Sequence, residues 1–379
     1  MTSPPRRVLV IVTRRIGDVL LATPVFRSLK HAWPETTIDA LVFSSTAGVL
    51  SANPDLKRIL TVPERPKFIQ HIVFIVKLLW RYDLAISLLP GDRPSLYAFF
   101  AGRRSMGVLP GSQKDRWKQR LLQQWTPFDP LNTHTVRSYL AVVRALGIAE
   151  LGDVVVNWRT DDALRVNQLL GTNHAQPIAV LHPYPKFNYK MWRRKGWVEI
   201  ACWLRVRGYR VVLSGGRESE ECAYVADIIR DMPPDVINTA GQLSLGASMY
   251  LVSKAALYVG PDTALTHAAA ALGVPTIALY GPTNAVKWGP WPRTHMPQSN
   301  PWHRLGSQRK GNVTLLQGTD TCVPCGLEGC QREVSSFSDC LQSLPVTRVI
   351  AAIEEQLQQA TDKNKGNQSQ AGSAHRYCQ

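Results

Sequence analysis

The sequence predicts an α/β protein made of two Rossmann-like domains facing a central cleft, on three observations. Short runs of Val, Ile and Leu alternate with amphipathic segments from residue 7 onward, the order that produces a mostly parallel sheet covered on both faces. The alternation breaks near residues 171–177 and then restarts. With 379 residues, the chain also exceeds the usual size of one core, so two domains are the default.

The elements follow in order. Residues 7–12 are an apolar run that ends in a Gly-containing loop. Residues 18–33 read as a helix with Val25, Leu29 and Trp33 on one face, Pro34 as its stop and Pro24 as a kink in its first turns. A strand at 37–43, a short helix at 49–53, a strand at 58–62, a helix at 68–80 and a strand at 83–88 come next. Helices at 95–101 and 135–146 end at Gly102 and Gly147. Past the joint, strands at 178–182 and 210–214 flank a helix at 197–207. Helices at 218–231 and 245–253 and a strand at 257–260 lead into GPDTALTHAAAALGVPTIALYGPTN, residues 260–284. That segment reads as a loop, a helix that Asp262 or Thr263 can cap, a turn at Gly273 and Pro275, a buried strand at 276–280 and a second loop at Gly281-Pro282-Thr283. Residues 346–359 form a last amphipathic helix, and the polar, aperiodic 361–379 reads as a disordered tail.

Composition narrows the function classes. The chain is 45% hydrophobic and 19% charged, ordinary for a globular protein, but 44 Lys and Arg against 28 Asp and Glu leave a net charge of +16. Nucleic acid, an anionic membrane, a polyanionic substrate or a generally basic surface would each account for it. The apolar run at 8–12 is too short for the core of a signal peptide and leads straight into Arg14 and Arg15. The stretch at 68–80 is interrupted by Gln70, His71 and Lys77 and is too short to cross a bilayer. A cytoplasmic protein is expected, with any membrane contact peripheral.

Of the seven cysteines, Cys202 and Cys222 sit in helical patterns as core thiols and Cys378 lies in the tail. Cys322-x2-Cys325-x4-Cys330-x9-Cys340 has a spacing that could bind Zn²⁺, or could be free thiols on a loop.

Several loops after strands carry chemistry. Asp18 follows Gly17 just past the first strand, where open α/β sheets place ligands. An Asp there is either an ordinary helix cap or a carboxylate able to take a proton from a hydroxyl. The loop from His182 offers Lys186, Lys190, Arg193, Arg194 and Lys195, and Trp192 and Trp197 could fix it around Lys190. An ammonium there would offset charge on a leaving group. Gly215 and Gly216 allow a close backbone approach or a simple turn. His267, five residues after Asp262, is either packed core or part of the same polar edge. A helix start with uncovered amides is an anion site, and two such loops at one sheet edge suggest a nucleotide diphosphate pocket. The sequence holds no H-E-x-x-H, G-x-S-x-G or Walker A motif, against hydrolase and P-loop readings.

Together these residues resemble glycosyltransferase family 9, the bacterial heptosyltransferases of the lipopolysaccharide inner core. The resemblance covers nearly all of residues 7–360. It rests on the ordered blocks RRIGDVLLATPVFRSLKHAWPETTIDALVF (14–43), YDLAISLLPGDRPSLYAFFAGRRSMG (82–107), HPYPKFNYKMWRRKGW (182–197), LSGGRESEE (213–221), AGQLSL (240–245) and the 260–284 segment. The CVPC…C…CL segment also occurs in members of this family, which favours free thiols over zinc. The start and the Cys-rich end look more like the third heptosyltransferase type than the first two.

The resemblance implies a GT-B fold, with an acceptor-binding Rossmann-like domain at 1–174 and a nucleotide-sugar-binding one at 175–345. A C-terminal helix at 346–360 returns to the first domain, and 361–379 is the tail. It implies inverting transfer of a heptose from ADP-L-glycero-β-D-manno-heptose to Kdo-lipid A or inner-core lipopolysaccharide, at the cytoplasmic face of the inner membrane. Asp18 matches the family's general base, and Lys190 the lysine that holds the diphosphate. Asp262, Thr263, Ala264, Leu265 and His267 match the donor loop and helix, and Gly215 and Gly216 stand with them as phosphate contacts. Arg14, Arg15, Arg93, Arg116, Lys118 and Arg120 are acceptor candidates, and the anionic acceptor and membrane face account for the net charge. No metal, cofactor or nucleic acid is expected. Two arginine- and lysine-bearing departures stand out: Tyr184-Pro185-Lys186-Phe187 occupies a loop where some relatives carry hydroxyl residues, and Arg14-Arg15 and Gly91-Asp92-Arg93 lie in variable acceptor-side loops. The alternatives are transfer of another sugar to a cell-surface glycan, a sugar-nucleotide epimerase of similar fold, and a basic protein that binds nucleic acid or membrane without catalysis.

Overall fold

The computed structural model describes residues 3–171 and 176–359. Part of the expected joint at 171–177 and the expected tail at 361–379 lie outside the described residues. The chain divides into two compact units. One comprises Met1–Leu169, Ser244–Tyr250 and Asn284–Arg304, the other Leu170–Leu243, Leu251–Thr283 and Leu305–Gln379.

The first unit is built on six strands, β1 (Arg7–Ile11), β2 (Thr37–Phe43), β3 (Arg58–Val62), β4 (Tyr82–Ser87), β5 (Gly102–Leu109) and β6 (Gln124–Pro127). They pair in the order β3-β2-β1-β4-β5-β6, all in parallel. This is the doubly wound Rossmann order, and it reverses direction between β1 and β4. The four apolar residues of β1, Val8 to Ile11, are fully buried because helices cover both faces of a central strand. At its other end the sheet is tied by Asp39 of β2, a buried carboxylate that accepts from Arg58 of β3 at 2.7 Å and from the Tyr82 hydroxyl of β4 at 2.8 Å. Burial, then the bond to Asp39, pushes the Tyr82 phenol up to about 12.

The helix expected at 18–33 is two helices, Ile16–Leu21 and Thr23–Ala32, with Pro24 in the first turn of the second. Proline fits there because that turn's amides have no intrahelical acceptor. Strands at 102–109 and 124–127 and the helix Thr160–Leu170 add to the expected elements.

Two segments read from the sequence as belonging to the second domain group with the first unit. Asn284 donates to Leu131 O at 2.8 Å, Thr135 to Lys287 O at 2.9 Å, and His134 Nε2 pairs with Gly289 O at 2.8 Å. His134 Nδ1 accepts the Val136 amide at the start of helix Thr135–Ala145, so this buried imidazole is the neutral Nε2–H tautomer. Around residue 244, Ser244 bonds to Asp162 and the Tyr250 hydroxyl donates to Asn167 at 3.2 Å.

The second unit has seven strands, β7 (Ile178–Leu181), β8 (Arg210–Leu213), β9 (Ile237–Asn238), β10 (Ala255–Pro261), β11 (Thr276–Tyr280), β12 (Gln308–Lys310) and β13 (Val313–Gln317). Their order is β12-β13-β11-β10-β7-β8-β9, parallel except for β12 on β13. Here the winding reverses between β7 and β10, so the loops after those two strands border the crevice of this sheet. Its core gathers Trp192, Trp197, Ile200 and Leu204 with Leu257, Ile277 and Leu341. Residues 346–359, expected to return to the first domain, group with the second unit, and Val349, Ala352 and Ile353 are buried in its core.

Candidate active site

Asp18 lies in the helix that follows β1, at the reversal point of the first sheet. It is the third helical residue, and the N-cap is Arg15, whose side chain makes no capping bond. The capping reading of Asp18 is therefore set aside, although a carboxylate in a first turn still suits the helix dipole. The side chain is buried, 5% exposed, and pairs with Arg14 Nε at 3.3 Å. The buried Tyr139 hydroxyl also hydrogen-bonds Asp18, and burial together with that charge holds the phenol well above its ordinary range. Lys287 and Trp288 belong to the same cluster. The Trp288 ring lies 5.1 Å from the Arg14 guanidinium and 5.0 Å from the Lys287 ammonium. Burial, then Arg14, lowers the Lys287 ammonium while Asp18 works to raise it. The arrangement is an oriented carboxylate flanked by two cations on an aromatic shelf.

In the second unit, Lys190 and Asp262 meet. Lys190 Nζ lies 2.5 Å from Asp262 Oδ2, with side chains 16% and 8% exposed. The Tyr280 hydroxyl donates to Asp262 Oδ1 at 3.3 Å, and Thr283 also bonds the carboxylate. Burial alone would raise the Asp262 carboxyl; Lys190, His267 and Thr283 outweigh it and hold the group below its ordinary value. The Lys190 loop is locked from the C-terminal segment. Ser338 donates to Tyr189 O at 2.8 Å, Gln342 to Met191 O at 2.8 Å, and Trp192 Nε1 to Leu344 O at 3.0 Å. Trp192 and Trp197 pack edge to face, 5.2 Å apart, and are fully buried, so they fix this loop as expected from sequence.

The helix Ala264–Leu272 starts beside this pair. Thr263 is its N-cap by backbone geometry but its side chain makes no capping bond; it pairs instead with the Thr266 hydroxyl at 3.2 Å. Ala264 and Leu265 therefore open a helix whose amides the cap side chain leaves uncovered. At the far end, Gly273 adopts φ +81 as the left-handed stop. His267 is 5% exposed, with Nε2 3.8 Å from Asp262, too far for a hydrogen bond, and Nδ1 has no partner among the described residues. Burial lowers its pKa to about 4 against the pull of Asp262. A buried imidazole nitrogen without a partner is costly unless a ligand satisfies it.

Other candidates fare differently. A Cβ on Gly215 would come within 2.9 Å of Ala240 and one on Gly216 within 2.6 Å of Glu221. The Gly216 amide already donates to Glu221. These glycines make room for a carboxylate of the chain. His182 bonds Ser214 at 3.0 Å and is buried and neutral, its pKa lowered by burial to about 4, so it joins β7 to β8. Lys118, an acceptor candidate in the sequence, is buried and paired. It is 6% exposed and lies between Asp115 at 2.6 Å and Asp92 at 3.2 Å, with Pro90 O accepting from it. Its charge is balanced within the unit. Arg93 donates to Glu64 O and lies over Phe43. Arg14, Arg15, Arg116 and Arg120 are exposed.

The described cysteines are free thiols. Burial, then the neighbouring cysteines, pushes Cys340 up to about 12. Among the described residues, no group of three or more His, Cys, Asp or Glu is set to hold a metal ion.

Two of the buried histidines, His182 and His267, predict an acid-side loss of stability. Both have folded pKa values near 4 against an ordinary 6.5, so the unfolded chain binds more protons between these values and stability falls as pH drops from 6.5 toward 4. Each group contributes at most about 3 kcal/mol to that fall. Melting curves across this range are expected to show it, with a shallower fall for His267→Gln; an unchanged melting temperature from pH 6.5 to 4 would contradict it.

Sequence and fold comparisons point to one family. The model of glycosyltransferase family 9 (heptosyltransferase) matches residues 81–314, more than half of the chain. The chain is similar to lipopolysaccharide heptosyltransferase 3 of Escherichia coli K12, 29% identical over 287 residues, which cover 73% of this chain and 82% of the relative. It is 26% identical over 304 residues to lipopolysaccharide heptosyltransferase 2 of the same strain, covering 73% and 83%. Among solved structures, the family 9 glycosyltransferase of Veillonella parvula DSM 2008 superposes with TM-score 0.74 at 19% identity, over 93% of this chain and 97% of that one. The E. coli ADP-heptose lipopolysaccharide heptosyltransferase II superposes with TM-score 0.70 at 19% identity, over 94% and 99%. The shared fold is GT-B, with two Rossmann-like domains, and the chain belongs to glycosyltransferase family 9, the heptosyltransferase family.

Proposed function

We propose that this enzyme transfers a heptose from ADP-L-glycero-β-D-manno-heptose to the lipopolysaccharide inner core, with inversion at the anomeric carbon. The observation that carries the reading is the cluster around Asp262. A lysine, a neutral imidazole whose Nδ1 has no partner among the described residues, and an uncapped helix start converge at the reversal point of the second sheet. A nucleoside diphosphate fits that set. The amides of Ala264 and Leu265 and the Lys190 ammonium would take phosphate oxygens, with Asp262 holding the lysine until the donor arrives. His267 and Thr263 would contact the phosphates or sugar. As the bond from sugar to diphosphate breaks, negative charge grows on the leaving oxygen and Lys190 stabilises it.

Asp18 would take the proton from the acceptor hydroxyl as that oxygen attacks. Tyr139 and Arg14 orient the carboxylate. The acceptor is a polyanionic, lipid-borne sugar, and the enzyme works at the cytoplasmic face of an anionic membrane. Arg14, Arg15, Arg116 and Arg120 are the exposed cations offered to it. Neutralising Arg116 and Arg120 together is expected to raise the acceptor KM and flatten its salt dependence, with donor KM unchanged. An unaltered acceptor KM would remove them from this role.

A screen of nucleotide sugars tests the donor. ADP-heptose is expected to be turned over in preference to other nucleotide sugars. Preference for a different donor would favour the alternative of another sugar moved to a cell-surface glycan.

A further inference from the structure

We propose that the outer face of the helix Phe68–Leu78, continued by Leu79 and Trp80, is the surface that docks this protein on an anionic lipid bilayer. The inference deepens the proposed placement at a membrane and rests on that reading for its biological meaning, but its physical basis is separate.

The helix is apolar on two opposite faces. One face is used inside the first unit. Leu78 is buried in the core, Phe74 and Ile75 pack against it, and the rings of His71 and Phe74 lie 5.2 and 5.5 Å from Tyr97. The opposite face carries Ile69, Ile72, Val73 and Val76, which are 74, 45, 46 and 65% exposed. Their spacing of three and four residues places them in one stripe. Leu79 and Trp80 extend it at 43 and 65% exposed. Trp80 is held there by a backbone at φ +48, a conformation a bulky side chain rarely adopts, while its amide donates to Phe100 O at 2.9 Å. A water-facing helix would place charged residues along this stripe; six large apolar side chains in a row mark a surface meant for something other than water.

Charge identifies the occupant. Residues 64–83 carry Arg65, Lys67, Lys77 and Arg81, all exposed, against an acid at each end: Glu64, which accepts from the Ser45 hydroxyl, and Asp83, which accepts from the Arg6 and Arg7 amides. A second copy meeting this face would bring like charges together, whereas an anionic headgroup layer complements them. An apolar stripe with a basic rim is the pattern of a helix lying in the interface plane. The helix has 11 residues, a length of about 16 Å, too short to cross a bilayer. No helix among the described residues is long and apolar enough to do so.

Flotation of the full-length protein with vesicles tests the proposal. Binding is expected to phosphatidylcholine vesicles containing about 30% phosphatidylglycerol, to fall with added salt, and to be at least about tenfold weaker on phosphatidylcholine alone. The double variant Ile72→Glu, Val76→Glu changes exposed residues and is expected to bind at least about tenfold more weakly, while turning over a lipid-free acceptor as the wild type does. Lys77→Glu is expected to weaken binding with the apolar stripe intact. Wild-type protein that stays off the anionic vesicles, or a double variant that floats like wild type, would overturn the proposal. So would a wild-type dimer that the double variant converts to a monomer in size-exclusion chromatography. Turnover of the lipid-free acceptor judges the transfer reading on its own, so the two can fail independently.

Discussion

Replacing Asp18 by Asn is expected to lower kcat by about 10²- to 10⁴-fold, the usual contribution of a positioned general base, while ADP affinity and melting temperature stay near wild type. Asp18 is buried, oriented by Tyr139 and paired with Arg14. Asn keeps the shape and can still accept from Tyr139, but it cannot take a proton. The residues proposed to hold the donor, Lys190, Asp262 and the start of helix Ala264–Leu272, group with the second unit and Asp18 with the first, so ADP affinity is expected to survive the change. Steady-state kinetics with isothermal titration of ADP separates the two effects. Full turnover by Asp18→Asn would remove Asp18 as the base. Loss of ADP binding in that variant would give it a different role.

The second large effect is expected at Lys190. Lys190→Ala removes the cation facing a carboxylate that is 8% exposed. Two losses follow. The diphosphate loses a charge-assisted contact, which is expected to weaken ADP binding by about 10- to 100-fold. The fold loses the partner of a buried charge, at a cost of about 2–4 kcal/mol, because Lys190 itself is partly exposed. These losses can be told apart by a double-mutant cycle. Adding Asp262→Asn to Lys190→Ala is expected to restore part of the melting temperature and none of the ADP affinity. If the double variant recovered ADP binding, Lys190 would act through Asp262 and not on the phosphates.

How much of this was legible in the sequence depends on the range of the interactions. β1, β2, β3 and β11 were readable because they are short, nearly unbroken runs of strand-forming residues. β5 was not, because it opens with a glycine, Gly102, and two exposed arginines, Arg103 and Arg104, before the buried stretch to Leu109. Short β13 and the polar helix Thr160–Leu170 lack strong boundary signals. At the site, Asp18, Lys190 and Asp262 were findable because each sits in a loop or first turn just after a strand of a doubly wound sheet. Their partners were not. Tyr139 reaches Asp18 from a distant helix, and residues 338–344 hold the Lys190 loop from the C-terminal segment. Only folding makes those pairs neighbours. The pairing of Lys118 was hidden for the same reason, since a basic cluster in sequence does not reveal that Asp115 and Asp92 already balance one of its members. The exposed stripe at Ile69, Ile72, Val73 and Val76 is a similar case: an apolar helix reads as core until the structure separates its two faces.

The most direct test of the whole account is product analysis. Purified protein would be incubated with ADP-L-glycero-β-D-manno-heptose and a Kdo-containing inner-core acceptor, and the product read by mass spectrometry and by NMR of its anomeric carbon. The account predicts an acceptor heavier by one heptose residue, in the α configuration that inversion of the β donor gives, with one ADP released per transfer. ADP release that does not need the acceptor, or an acceptor unchanged in mass, would contradict it.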